Sequence, residues 1–352
     1  MTELDSFEAL KAIRRKTFRK YLVVTIVALV LLVAAFFIAL KTGPIYTSFD
    51  KLIDLLLGNG SQTEVYIIQQ IRLPRILCCA IVGAALSTAG LAMQGLFRNP
   101  MASPSILGVS SGAAFGAALA MGFGIGSIFG SYSVTLMAFI FCFGTTFLVY
   151  FLAKSSGGVS MTMLLLSGIA VGAFFNGLTS AIQYLVDSST LPGIVYWLMG
   201  SFASCGWNSL KLALIPIVIG IVIIGFCANE LNIISLGEDQ ARTLGVNVKK
   251  VRVLLLIGTS LAVAGSVAIS GIIGFIGLII PHIFRMIVGP NHKILIPLSI
   301  IGGAAFMIIM DAIARWIIMP DELPIGILTA LLGAPFFIYV MRTKKKYRMG
   351  GE

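Results

Sequence analysis

The chain has 352 residues, of which 58% are hydrophobic and only 11% charged. Repeated apolar runs of about 20 residues exclude a water-soluble domain and point to membrane-spanning helices; the strands of a membrane barrel would alternate over about ten residues instead. The net charge of +11 does not call for nucleic acid, because Lys and Arg retained on the cytoplasmic side of a membrane protein give the same excess.

In chain order, Lys11, Arg14, Arg15, Lys16, Arg19 and Lys20 make residues 1–20 a basic cytoplasmic lead-in. The first span is predicted at Tyr21–Leu40, and with no small-residue cleavage site it reads as a retained anchor. Lys41–Glu64 is expected to be an outer loop with an amphipathic patch at Phe49–Leu57, and Ile76–Phe97 the body of the second span, closed inside by Arg98-Asn99-Pro100. The Gly/Ser/Ala-rich run Met101–Tyr132 enters a third span through Pro104, Ser133–Ala153 returns to Lys154, and Ser155–Val186 leads out to Asp187. Ser188–Asn208 is interrupted by Pro192, Gly193 and Gly200 and is placed outside as a partly buried helix, followed by a span at Lys211–Asn229.

Val253–Phe284 is free of charge for 32 residues. As one helix it would measure about 48 Å at ~1.5 Å per residue, too long for a single crossing. Broken near Gly271 and Gly274 into two short helices, it keeps Lys344, Lys345 and Lys346 inside. Ile294–Met319 and Leu323–Met341 complete a single all-α, polytopic membrane domain over residues 1–352, with about ten transmembrane helices and both termini cytoplasmic. This arrangement puts 19 of the 25 Lys and Arg residues inside; the exceptions are Lys41, Lys51, Arg72, Arg75, Lys211 and Arg315. Gly83, Leu86, Ala89 and Gly90 match Gly258, Leu261, Ala264 and Gly265 at a constant offset, a faint sign of an inverted repeat.

The chain has no GxxxxGK[ST] phosphate loop, so it is not expected to hydrolyse ATP or to be an enzyme, and no catalytic residue is assigned. Two histidines, 282 and 292, without an HExxH motif, and five cysteines without a CxxC read as packing residues rather than metal ligands. Asp311 is an isolated acid in an apolar run; a proton- or sodium-coupled carrier would need a carboxylate relay, so an external energy source is indicated.

Three places remain for function. Leu231–Arg252 is the long polar interruption between spans and reads as a cytoplasmic segment that docks a soluble motor; a plain solvated loop is the alternative. Ile234–Leu244 would form one or two short helices, broken at Gly237 and capped by Gly245, with Leu236, Ala241 and Leu244 as an apolar knob beside Glu238, Asp239 and Arg242. Arg72-Leu73-Pro74-Arg75 at the outer mouth of the second span is either a pair of snorkelling anchors or a positive rim for acidic groups of an external partner. Arg315 is a third member of that rim or the partner of Asp311 one turn away. Ser155–Thr162 is a polar turn on the inside, either an ordinary Gly turn or a cytoplasmic gate.

These stretches together resemble the FecCD family of importer permeases. The resemblance is carried by Arg72–Ala113, by YWLMGSF at Tyr196–Phe202, by SLGEDQARTLGV at Ser235–Val246 and by the run from Gly271 to Ile338. It implies a BtuC-like, type II ATP-binding-cassette importer fold in a prokaryotic cytoplasmic membrane. It also implies a second permease copy, two ATPase subunits that hold ATP and Mg, an extracytoplasmic binding protein and a metal-chelate cargo: ferric siderophore first, then heme or cobalamin. This chain would hold no cofactor and meet only lipid and these partners. The resemblance further assigns Arg72, Arg75 and Arg315 to binding-protein docking, and Leu236, Gly237, Glu238, Ala241, Arg242, Leu244 and Gly245 to ATPase coupling. It puts the inner gate at Ser160, Met161 and Thr162, where the cobalamin-type permease has Ser-Thr-Ser. An ion-driven secondary transporter and a flux-free anchor or receptor are the competing classes.

Overall fold

The apolar runs become helices that satisfy their own backbone groups, as a chain in lipid requires. A computed structural model describes residues 3–43, 48–155 and 158–349. Side chains before residue 17 and after residue 340, among them most of the basic lead-in and Lys344–Lys346, lie outside the described residues, as do residues 156 and 157 of the inner turn.

Helix α1 (Glu3–Lys41) carries the basic lead-in and the first span as one rod. Helix α2 (Phe49–Leu56) lies at its outer end with Leu52 and Leu55 buried and Phe49 and Ile53 exposed, so the amphipathic patch forms as expected. Helix α3 (Gln62–Tyr66) starts at Ser61, whose Oγ accepts the Glu64 N–H and donates to the Glu64 carboxylate. The chain then winds through a π-helical stretch, Ile67–Arg72, straight into α4 (Leu73–Leu96).

The outer loop is therefore shorter than expected, and Arg72–Arg75 lies within a continuous 35-residue rod, Gln62–Leu96. Pro74 explains the wide turn. It has no N–H for the Gln70 carbonyl and its ring would press on that carbonyl in a regular helix. The widened turn, in which the Leu73 N–H reaches back to the Ile68 carbonyl, makes the room.

Past a 3₁₀ turn at Pro104–Leu107 come α5 (Val109–Phe123) and α6 (Ser133–Ala153). Two-residue strands β1 (Lys154–Ser155) and β2 (Gly158–Val159) pair antiparallel, Lys154 opposite Val159. There follow α7 (Met161–Leu185), the short α8 (Leu191–Leu198), α9 (Trp207–Phe226), α10 (Ala228–Ile234) and α11 (Glu238–Thr243). Then come α12 (Val248–Ser270), α13 (Ile276–Val288), α14 (His292–Ile317) and α15 (Ile325–Met349). Among the described residues 7 helices are long and apolar enough to cross a membrane, and Val109–Phe123, Ile276–Val288 and Ile325–Val340 are shorter apolar helices at the other expected crossings. The charge-free run breaks at residues 271–275, as its two glycines predict, and α8 stays a short outer helix.

The core runs down α4 and α12. The apolar window of the rod containing α4 is 83% buried and that of α12 78%, against 17% for α1 and 28% for α7 and α9. Small residues bring the inner helices together. A Cβ on Gly90 would sit 2.0 Å from the Gly277 carbonyl oxygen, so α4 and α13 touch backbone to backbone there. A buried hydroxyl pair, Thr146 and Ser260 at 2.6 Å, joins α6 to α12. The non-helical approaches to α5 and α13 meet at a cavity of about 300 Å³ whose lining includes Ser103, Ser105, Ser110 and Gly274. All five cysteines are buried, and His282 lies edge-on to Phe336 in the interior.

Candidate functional sites at the two ends of the bundle

At the outer end the structure gathers Arg72, Arg75 and Arg315, but does not present them as a rim. They are 5%, 8% and 4% exposed. Asp311, one turn before Arg315 on α14, takes both neighbours. Arg75 reaches it through Nε at 3.1 Å and Nη2 at 2.8 Å, and Arg315 through Nε at 3.0 Å. Arg75 Nη1 also donates to Glu322 at 2.8 Å. The other guanidinium groups close the end of α1: Arg315 donates to the Thr42 carbonyl at 2.6 Å and to that of Ala39 at 3.2 Å, and Arg72 to that of Leu40 at 2.6 Å. A helix leaves its last four carbonyls without partners, and here Arg72 of the π-helical stretch and Arg315 of α14 supply donors to that end. Three guanidiniums against the carboxylates of Asp311 and Glu322 leave this cluster one positive charge in excess.

The expectation of an open positive rim is corrected on this point. The π turn and the continuous rod carry Arg72 and Arg75 inward of the surface, and Asp311 draws Arg75 and Arg315 together. Three of the six basic exceptions on the outer side are thus internally compensated, and a fourth, Lys41, lies over the Phe49 ring at 4.6 Å. Beside the cluster, Tyr196 of α8 donates to the Glu322 carbonyl at 3.2 Å and borders a cavity of about 800 Å³. Trp197, Ser201, Ser204 and Asn208 also line that cavity, and among the described residues no charged side chain does.

At the inner end the polar segment folds as its glycines direct. Gly237 (φ 135°) separates α10 from α11, and Gly245 (φ 82°) closes α11. The Gly245 N–H bonds to the Arg242 carbonyl at 3.0 Å and the Val246 N–H to that of Ala241 at 3.0 Å, the paired bonds of a left-handed glycine cap. Leu236 and Leu244 point outward, 63% and 62% exposed, with Glu238, Asp239 and Arg242 between them. Ala241 is 0% exposed. It packs beneath α11 and does not belong to the outward knob, because one helical turn that shows its ends to solvent must turn its middle to the body. The segment is braced on α14 by Asn232, whose Oδ1 accepts the His292 N–H at 2.8 Å.

Ser160 precedes α7 as its N-cap with no side-chain capping bond; it and Thr162 are exposed while Met161 is half-buried. The structure sets one basic residue of the Leu231–Arg252 segment apart from the rest. Arg252 on α12 is 6% exposed, ion-paired to Glu238 at 2.7 Å and hydrogen-bonded to the Val159 carbonyl. Its neighbours Lys249 and Lys250 are exposed. Composition cannot separate the three; only the helical phase of α12, which turns 252 inward with Val248 and Leu255, singles it out.

Residues 31–343 match the FecCD transport family. The chain belongs to that family. It is 40% identical over 322 residues to the molybdate import system permease protein MolB of Haemophilus influenzae, covering 90% of this chain and 94% of that protein. It is 42% identical over 284 residues to the cobalamin import system permease protein BtuC of Halobacterium salinarum, covering 81% and 75%. A solved structure described as an inward-facing conformation of a putative metal-chelate type ABC transporter superposes with a TM-score of 0.81 at 39% identity, covering 91% of this chain and 98% of that one. The FecCD chain is thus a multi-pass membrane permease of the importer type, with the BtuC-like helical fold.

Proposed function

We infer that this chain is the membrane permease subunit of an ATP-binding-cassette importer for a metal-bearing cargo. Its inner end carries the motor dock and its outer end receives a binding protein. The observation that carries the reading is the exposed leucine pair of α10–α11, Leu236 and Leu244, on short helices braced against the bundle. Exposed leucines on rigid, charged-flanked turns suit insertion into a groove of a soluble partner. In this reading two ATPase subunits, each with ATP and Mg, bind two such segments of paired permease copies, and Glu238 and Arg242 fix register at the rim. Among the described residues neither cavity has a charged side chain in its lining, which fits a carrier without a proton or sodium relay.

The binding protein would sit on the outer end over Arg72, Arg75 and Arg315. Their excess charge acts as a field through the surface and as a rigid base for the loops above, since the guanidiniums themselves point inward. The inner gate would lie at Ser160, Met161 and Thr162, next to the β1–β2 hairpin. For cargo, ferric siderophore remains the first choice, with heme and cobalamin next; MolB adds molybdate as a further arm of the test.

The test is uptake into proteoliposomes that hold this chain and its ATPase, with binding protein supplied and labelled ferric siderophore, heme, cobalamin or molybdate offered in turn. Uptake that requires ATP and ignores an ionophore is expected for one cargo. Uptake without ATP that collapses with the ionophore would overturn the reading in favour of a secondary transporter.

A further inference from the structure

The inner end contains a link between two regions that the family reading treats separately, the motor dock and the hairpin before α7. It is built on one side chain. Arg252 lies in the second turn of α12, buried between α11 and β2. One Nη donates to Glu238 Oε1 at 2.7 Å, on the first turn of α11, fourteen residues back in the chain. The other Nη donates to the Val159 carbonyl, ninety-three residues back. Val159 pairs with Lys154 in the hairpin and directly precedes Ser160, the N-cap of α7.

We propose that Arg252 is the positioning residue that transmits movement of the motor-docking turn to the cytoplasmic hairpin and the start of α7. The proposal rests on the coupling reading of α10–α11 given above. Its physical basis is the geometry of guanidinium: a flat, permanently charged fork can hold two acceptors at a fixed separation, which a single ammonium cannot. Glu238 is in the first turn of α11, immediately after Gly237, so a partner pressing on Leu236 and Leu244 displaces the turn that carries the carboxylate. The charge-assisted bond passes that displacement to the guanidinium, and the second Nη passes it to the Val159 backbone. The acceptor there is a main-chain carbonyl, so the pull is delivered to the hairpin itself and not to a flexible side chain. Glu238 keeps a second partner at 3.6 Å, Arg242, so removing Arg252 does not strand its charge. Arg252 is buried while Leu236 and Leu244 are exposed, and its bonds go to Glu238 and Val159, which separates transmission from docking.

The experiment uses the complete complex in proteoliposomes, with Lys154→Cys as a labelling site on the hairpin, exposed and opposite Val159; all five native cysteines of this chain are buried and form a quiet background. Labelling rate with a membrane-impermeant maleimide is read with and without ATP, alongside ATPase co-purification and uptake. In the parent chain ATP is expected to change the labelling rate several-fold. In Arg252→Ala the ATPase should still co-purify and hydrolyse ATP, the ATP-dependent change should vanish, and uptake should fall ten-fold or more. Should Arg252→Ala fail to fold, Arg252→Lys decides: it keeps the charge against Glu238 but not the fork, and should lose most of the ATP-dependent change. A full ATP response in either folded variant would overturn the proposal and leave the coupling reading standing. A parent complex in which the ATPase does not bind, or ATP does not alter the hairpin, would overturn the proposal at its base, and loss of ATPase binding would remove the coupling reading with it.

Discussion

The outer and inner ends of this bundle use charge in opposite ways. Outside, Arg72, Arg75, Arg315 and Asp311 are all buried and bonded to one another or to the carbonyls at the end of α1. Inside, Asp239 and Arg242 are exposed around two outward leucines, and among the described Lys and Arg residues there Arg252 is the buried one. A buried ion network with satisfied bonds holds one arrangement, because breaking any member leaves a charge in a low-dielectric site. An exposed loose pair such as Arg242 and Asp239, 3.7 Å apart, holds little and yields easily. The difference separates a clamped outer end from a movable inner one.

Four substitutions sharpen or break that contrast. Asp311→Ala should have the largest effect, since it leaves Arg75 with Glu322 alone and Arg315 with carbonyls only. About 3–5 kcal/mol of stability is expected to go, seen as a large drop in the melting temperature of the detergent-purified chain. An unchanged melting temperature would mean that the outer end is not clamped. Arg75→Lys keeps the charge but cannot bridge Asp311 and Glu322 as a fork, and should cost roughly 1–3 kcal/mol in the same measurement. Ala241→Leu forces a larger side chain beneath α11, where no surface is exposed, and should cost about 1–3 kcal/mol. Its effect should show as faster amide exchange confined to residues 237–246. The smallest change in stability, within about 0.5 kcal/mol, is expected for Leu244→Asp, yet that chain should no longer retain the ATPase on co-purification. Retention would show that the leucine is not part of the dock.

The contrast also marks where the sequence was readable. The helices at the expected spans, the break at residues 271–275 and the helix–glycine–helix–glycine pattern of the inner segment follow from hydropathy and backbone chemistry, although the bounds shift, as where the third span is reduced to Val109–Phe123. The burial of the outer arginines was not readable in that way. The partner of Arg75 lies 236 residues away and the carbonyl that Arg315 closes lies 273 away, so local pattern sees a polar tetrapeptide beside a span and nothing more. One signal was available: a lone acid in an apolar run needs an opposite charge at its own depth, and Asp311 had Arg315 beside it and Arg75 at the corresponding end of another span. The same lack of local information hid the inward turn of Ala241 and set Arg252 level with Lys249 and Lys250.

The capping of α1 also bears on how the protein is made. Helix α1 leaves the ribosome well before α14, and the side chain that closes the Thr42 carbonyl just past its end belongs to α14. During synthesis Arg72 can close the Leu40 carbonyl early, whereas the carbonyls of Ala39 and Thr42 wait for Arg315 while the central helices insert. A nascent chain halted before α14 carries that unfinished end as a mark of incompleteness, and the arrival of Arg315 fastens a carbonyl made 273 residues earlier.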